Sequence, residues 1–177
     1  MKPTPQFSLV IFPTPEQSAL INSWKQLLKN KIKWFNSADS AAHITVIQFE
    51  NEMELSLYID AVRECCKTFL SQKVTFNSLG SFENAGTFFI APDALSKIYL
   101  DTLIIDMLKF LGFKVNANNV NSHMSIARKI YGERMITAFE LFKPIDVAFQ
   151  FNCDALHVRK FDGKQYSDII EKIPFGK

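Results

Sequence analysis

The sequence predicts an α+β fold of two pseudo-symmetric lobes, each a small, mainly antiparallel sheet covered by helices, with a central cleft between them. Strand-like and helix-like segments alternate along the chain with no low-complexity stretch or linker between them. A second observation is internal repetition: a proline-ended strand, a capped helix, a polar loop and a short histidine-bearing strand occur twice. Pro13 precedes His43 by 30 positions and Pro92 precedes His123 by 31. Two copies of so long a unit suit a duplicated lobe, whereas a solenoid needs at least three shorter repeats. The expected organisation is one two-lobed domain over 1–177, with a first motif half at about 14–82, a second at about 88–145, and terminal strands completing the lobes.

The first strand is expected at Phe7 to Phe12, ended by Pro13. Thr14, Pro15 and Gln17 then supply a helix cap, a first-turn proline and a capping-box partner. Leu20, Ile21, Trp24, Leu27 and Leu28 recur at helical spacing and give that helix an apolar face through about Asn30. After the polar loop 36–40, the run His43 to Phe49 is rich in branched and aromatic residues and reads as a strand. Asn51 and Glu54 open a second helix, with Leu55, Tyr58, Val62, Cys65 and Phe69 as its buried stripe.

A strand follows near Val74 to Phe82, and then the order repeats. Thr87 to Ala91 forms a strand ended by Pro92, and Asp93 opens a helix with Leu95, Ile98, Leu103, Met107 and Leu111 inside. The asparagine-rich loop 116–121 leads into a strand from His123 to Arg128. A helix is expected near Glu133 to Leu141, strands near Ile145 to Phe161, and an exposed charged end around Lys172 to Lys177.

Composition narrows the class of function. With 177 residues, 47% of them apolar, the chain can bury a sizeable core. Its 20 basic and 18 acidic residues leave a net charge of only +2, so any nucleic acid would be gripped locally and not by a general field. Three cysteines, Cys65, Cys66 and Cys153, provide neither a disulfide framework nor the spacing of a zinc site. The apolar stretch near the N-terminus is too short for a signal peptide, and no run is long enough for a membrane span. A soluble cytoplasmic protein is the expectation.

Alternate side chains of a strand share a face, so His43 and Thr45 point one way while Ile44 and Val46 point the other. His123 and Ser125 are set against Met124 and Ile126 in the same manner. Each strand therefore offers an imidazole and a hydroxyl, one pleat apart, opposite its aliphatic face. Two such strands facing one another suit phosphodiester chemistry. One imidazole takes a proton from the attacking oxygen, the other gives one to the leaving oxygen, and the hydroxyls donate to nonbridging oxygens. No metal is required, and two histidines without a carboxylate cluster would make a poor metal site. A single HxT or HxS tripeptide means little; two at matching positions of similar halves carry the inference.

On these residues, His43-Ile44-Thr45-Val46 and His123-Met124-Ser125-Ile126, the chain resembles the 2H phosphoesterases, defined by one His-x-Thr/Ser-x motif in each lobe of a pseudo-symmetric fold. It is most similar to the bacterial 2′-5′ RNA ligase and cyclic phosphodiesterase branch, in which a tryptophan segment often precedes the first motif, as Lys33-Trp34 does here. Arg128 stands where that branch commonly has an arginine after the second motif. The chain departs from it in carrying Gln48, Phe49 and Glu50 after the first motif and no arginine on the first strand.

The resemblance implies opening of a ribose 2′,3′-cyclic phosphate, on an RNA end or a nucleotide, to a 2′-phosphate, with reverse 2′-5′ ligation possible in principle. It implies His123 as base and His43 as acid, with the labels open to exchange, and Thr45 and Ser125 as phosphate holders. Arg128 is a candidate phosphate cation or a solvated surface residue. Trp34 and Phe49 are candidates for stacking on a base, or core residues. His157 lacks a hydroxyl two residues on and reads as structural or exposed. No cofactor and no obligatory protein partner are expected, and a monomer is. The alternative is a noncatalytic module that binds RNA ends or nucleotides in the same cleft.

Overall fold

The computed structural model describes residues 6–50 and 55–176. In chain order the elements are β1 (Phe7–Ile11), α1 (Pro15–Ile32), β2 (Ile44–Phe49), α2 (Leu55–Cys66), β3 (Gln72–Phe82), β4 (Thr87–Pro92), α3 (Ala94–Phe110), β5 (Met124–Ala127), α4 (Glu133–Phe142), β6 (Phe149–Cys153), β7 (Ala155–Phe161) and β8 (Tyr166–Pro174). The capping signals act as expected. Thr14 Oγ1 accepts from the Gln17 N–H and Gln17 Oε1 accepts from the Thr14 N–H, while Asp93 Oδ1 accepts from the Ser96 N–H. The expected opening of α2 by Asn51 and Glu54 lies outside the described residues.

Two four-stranded antiparallel sheets result, in the orders β2-β1-β7-β8 and β5-β4-β3-β6. The units β1-α1-β2 and β4-α3-β5 correspond, and each places its histidine strand at the edge of its sheet. The chain also exchanges strands between sheets. β3 pairs with β4 and β6 in the second sheet, and β7 and β8 return to complete the first. The edge strands β2 and β5 come into contact, and two bonds tie the lobes there. The Arg128 N–H donates to the Asn36 carbonyl at 3.0 Å, and Ser37 Oγ donates to the Ile126 carbonyl at 3.2 Å.

The helix faces differ from expectation in detail. α1 buries Ile21, Trp24 and Leu28, but Leu20 and Leu27 are exposed and Lys25 is buried in line with the apolar residues. In α3, Leu100, Leu103, Ile104 and Met107 are buried, whereas Leu95 is 75% exposed and Ile98 is exposed as well. Both corrections have one cause. The contact stripe follows 21-24-25-28 in α1 and 100-103-104-107 in α3, and the misassigned residues flank it by about a quarter turn.

The C-terminal segment is corrected too. Lys172 to Pro174 belong to β8, and Ile173 and Phe175 are buried. Cys65, Cys66 and Cys153 are buried free thiols; burial pushes Cys66 up to about 12, so packing and not reactivity accounts for them. Among the described residues, no helix is long and apolar enough to cross a membrane.

Candidate active site

His43 and His123 each stand one residue before the first residue of their strands, β2 and β5. Ile44, Val46, Met124 and Ile126 are buried, whereas Thr45 is exposed and Ser125 partly so, which is the alternation the sequence calls for. Both rings are held alike. Nδ1 of His43 lies 2.7 Å from the Ala41 carbonyl, and Nδ1 of His123 lies 2.8 Å from the Asn121 carbonyl. A carbonyl oxygen only accepts, so each Nδ1 carries the proton and each Nε2 keeps its lone pair free for chemistry. Among the described residues, neither the Thr45 nor the Ser125 hydroxyl has a hydrogen-bond partner.

The loop before each histidine is fastened by the preceding helix. From α1, Lys25 Nζ donates to the Ser37 carbonyl at 3.1 Å and the Ser40 carbonyl at 2.8 Å; burial pushes this ammonium down to about 8. From α3, Lys97 Nζ donates to Asn121 Oδ1 at 2.8 Å and Asp101 Oδ1 accepts from the Ser122 N–H at 2.8 Å. The His123 ring lies against Phe82 and Phe89, with centroids 5.0 Å away in both cases. Gly80 permits this arrangement, because a Cβ there would stand 2.6 Å from the Phe89 ring.

The electrostatics of the two rings differ. Burial chiefly, and then the Arg159 guanidinium, push His43 down to about 3; Lys25 and Arg128 act in the same direction. His123 is also lowered, again chiefly by burial, with Arg128 and Lys97 adding to the effect and Asp101 opposing it. The charge of Arg128 therefore reaches both histidines, and also Tyr166.

Not every candidate is gathered here. Trp34 is 62% exposed, two residues before the Asn36 bridge to Arg128, and its carbonyl accepts from Arg134 Nη2 at 2.7 Å. Phe49 sits six residues along from His43, roughly 20 Å away at the usual strand rise. There it stacks on Phe7 and packs against Tyr58, so it belongs to that aromatic cluster and not to the imidazoles. His157 is partly buried, edge-on to Phe12 at 4.9 Å, and its buried Nδ1 has no partner.

Sequence reasoning missed Arg159. It is 3% exposed on β7, with Nε donating to Ser8 Oγ at 3.0 Å and Nη1 lying 3.4 Å from Nδ1 of His43. A signal existed in an arginine set within the apolar strand Ala155–Phe161, but its meaning depends on β7 pairing with β1.

A model of the 2′-5′ RNA ligase superfamily matches residues 12–165, a span that holds both histidine motifs. The chain belongs to this superfamily, among the 2H phosphoesterases. No curated protein matches it. Solved structures share the fold at low identity. E. coli LigT complexed with 3′-AMP superposes with a TM-score of 0.67 at 10% identity, covering 99% of this chain and 100% of that one. TT0787 of Thermus thermophilus gives 0.62 at 14% identity, covering 97% and 98%. Usb1 of Kluyveromyces marxianus gives 0.57 at 16% identity, covering 97% and 99%.

Proposed function

We propose that this 2H phosphoesterase hydrolyses a ribose 2′,3′-cyclic phosphate, on an RNA end or a nucleotide, to a 2′-phosphate without a metal. The observation that carries this reading is the matched pair of imidazoles. In each, an Nδ1–H is tied to a backbone carbonyl two residues upstream, and an Nε2 is left open beside an unengaged hydroxyl. One Nε2 removes a proton from water as its oxygen bonds to phosphorus. The P–O3′ bond breaks, and the other imidazole, entering the step protonated, gives its proton to O3′. Thr45 and Ser125 donate to the nonbridging oxygens, and Arg128 supplies a nearby positive charge. The same two transfers run backwards would join a 2′-phosphate-forming end to a hydroxyl, so 2′-5′ ligation is the reverse reaction of one site. Nucleotides suit a cleft of this fold; structures of E. coli LigT are described as complexes with 3′-AMP, phosphate and ATP.

The test is incubation of the purified protein, chelator present, with a panel of nucleoside and oligonucleotide 2′,3′-cyclic phosphates, identifying the oxygen that retains phosphate. Formation of 2′-phosphate, lowered by a factor on the order of 10²–10⁴ in His43→Ala and in His123→Ala, is expected. Turnover that requires added metal, or that survives both substitutions, would refute the proposal. Binding of cyclic phosphate without product would instead identify a noncatalytic RNA-end or nucleotide module.

A further inference from the structure

A buried arginine ordinarily meets a carboxylate, because a lone guanidinium out of water is costly. Arg159 has none: among the described residues no Asp or Glu forms an ion pair with it, and its Nη2 is buried without a hydrogen-bond partner. What holds the cation instead is neutral. Ser8 Oγ accepts from Nε, and the guanidinium carbon lies 5.6 Å from the Phe12 ring centroid and 5.3 Å from that of Tyr166. Hydroxyl and aromatic faces stabilise a cation without cancelling its charge, so the field of Arg159 reaches its neighbour undiminished.

That neighbour is His43. With Nδ1–H committed to the Ala41 carbonyl, the 3.4 Å approach of Arg159 Nη1 sets one N–H against another and forms no hydrogen bond between them. The other charges acting on His43 are also positive, Lys25 from α1 and Arg128 from the end of β5, while His157 stands beyond Phe12 on β7. His123 differs, since Asp101 of α3 offsets the cations Arg128 and Lys97 there.

We propose that Arg159 is a positioning residue that keeps the His43 ring neutral, which makes His43 the base toward water and His123 the acid toward the leaving oxygen. This reverses the division of roles that family resemblance implies, and it rests on the reading of the two histidines as the proton-transfer pair. Arg159 contributes through His43 and not by touching the reacting atoms.

Two measurements test it. The first is NMR titration of the His43 ring in the wild type, Arg159→Met and Arg159→Lys, which needs no substrate. The wild type and the lysine variant should stay neutral down to about pH 4, while the methionine variant takes up its proton at least one pH unit higher. Coincident titration of wild type and Arg159→Met would overturn the coupling.

The second is the pH profile of kcat/KM for cyclic phosphate hydrolysis. Arg159→Met should lower activity at pH 5 severalfold through protonation of the base, and Arg159→Lys should restore it. A rise in activity on losing Arg159 would show that His43 acts as the acid and sink the role assignment. Should no cyclic phosphate be turned over, the phosphoesterase reading fails, while the titration still decides whether Arg159 governs His43.

Discussion

At the scale of single residues, His43 carries two properties that pull in opposite directions. Its ring is held neutral by burial and by cations, with a proton affinity pushed down to about 3 from an ordinary 6.5. The folded protein therefore binds fewer protons than the unfolded chain throughout that interval. Stability is whole above about pH 6.5 and is lost as pH falls toward about 3. His123 and His157 are lowered as well and add to the loss with the same sign. Urea unfolding between pH 7 and pH 4.5 should show stability declining in the wild type, and His43→Gln should flatten the decline, because glutamine takes up no proton. Parallel slopes for the two proteins would mean that His43 titrates as it does in the unfolded chain.

These four motif residues were legible in the sequence because alternation along a strand is local: Ile44 and Val46 going inward sends His43 and Thr45 outward without knowledge of anything else. Arg159 was not legible. It enters the site only because β7 lies against β1, pairing Arg159 with Ser8 across 151 positions of chain.

At the scale of elements, the two β-α-β units show how a helix fixes a histidine it does not carry. Lys25 reaches from the buried side of α1 to the carbonyls of Ser37 and Ser40 and so sets the loop that delivers His43. Lys97 and Asp101 do the corresponding work from α3 for the loop before His123. Helical periodicity found both helices and their caps, yet it ranked Leu20 and Leu27 as inward and passed over Lys25. An amphipathic pattern scores apolarity, and a lysine that is buried to serve two carbonyls looks polar to it. Lys25→Met keeps the packing volume and removes the donor. It should lower stability by about 2 kcal/mol, the usual scale for losing charged hydrogen bonds to partners left behind. Chemical denaturation checks this, together with a drop in cyclic phosphate turnover as His43 loses its fixed approach. Unaltered stability would mean that water satisfies the two carbonyls.

At the scale of the whole molecule, the sheets are completed by strands exchanged between the halves, an arrangement that repetition of motifs along the chain does not reveal. The histidine edges β2 and β5 meet, and the outer edge of the first sheet is supplied by β8, the last strand. One end of β8 places the Tyr166 ring beside Arg159. The other end is anchored far along the sheet, where Phe175 is buried edge-on to Phe69 at 5.4 Å and its N–H donates to the Asp154 carbonyl at 2.8 Å. The anchor and the site are thus separated by the length of a nine-residue strand.

Phe175→Ala should accordingly cost about 3–5 kcal/mol, as for other buried phenylalanines reduced to alanine. The kcat of the protein that remains folded should stay within about twofold of wild type, since β8 keeps its pairing with β7 beside Tyr166. Thermal denaturation and turnover, both measured well below the transition, separate the two effects. A large fall in kcat with little loss of stability would show that the C-terminal anchor is coupled to the imidazole cleft through β8, and that the sheet transmits strain along its whole length.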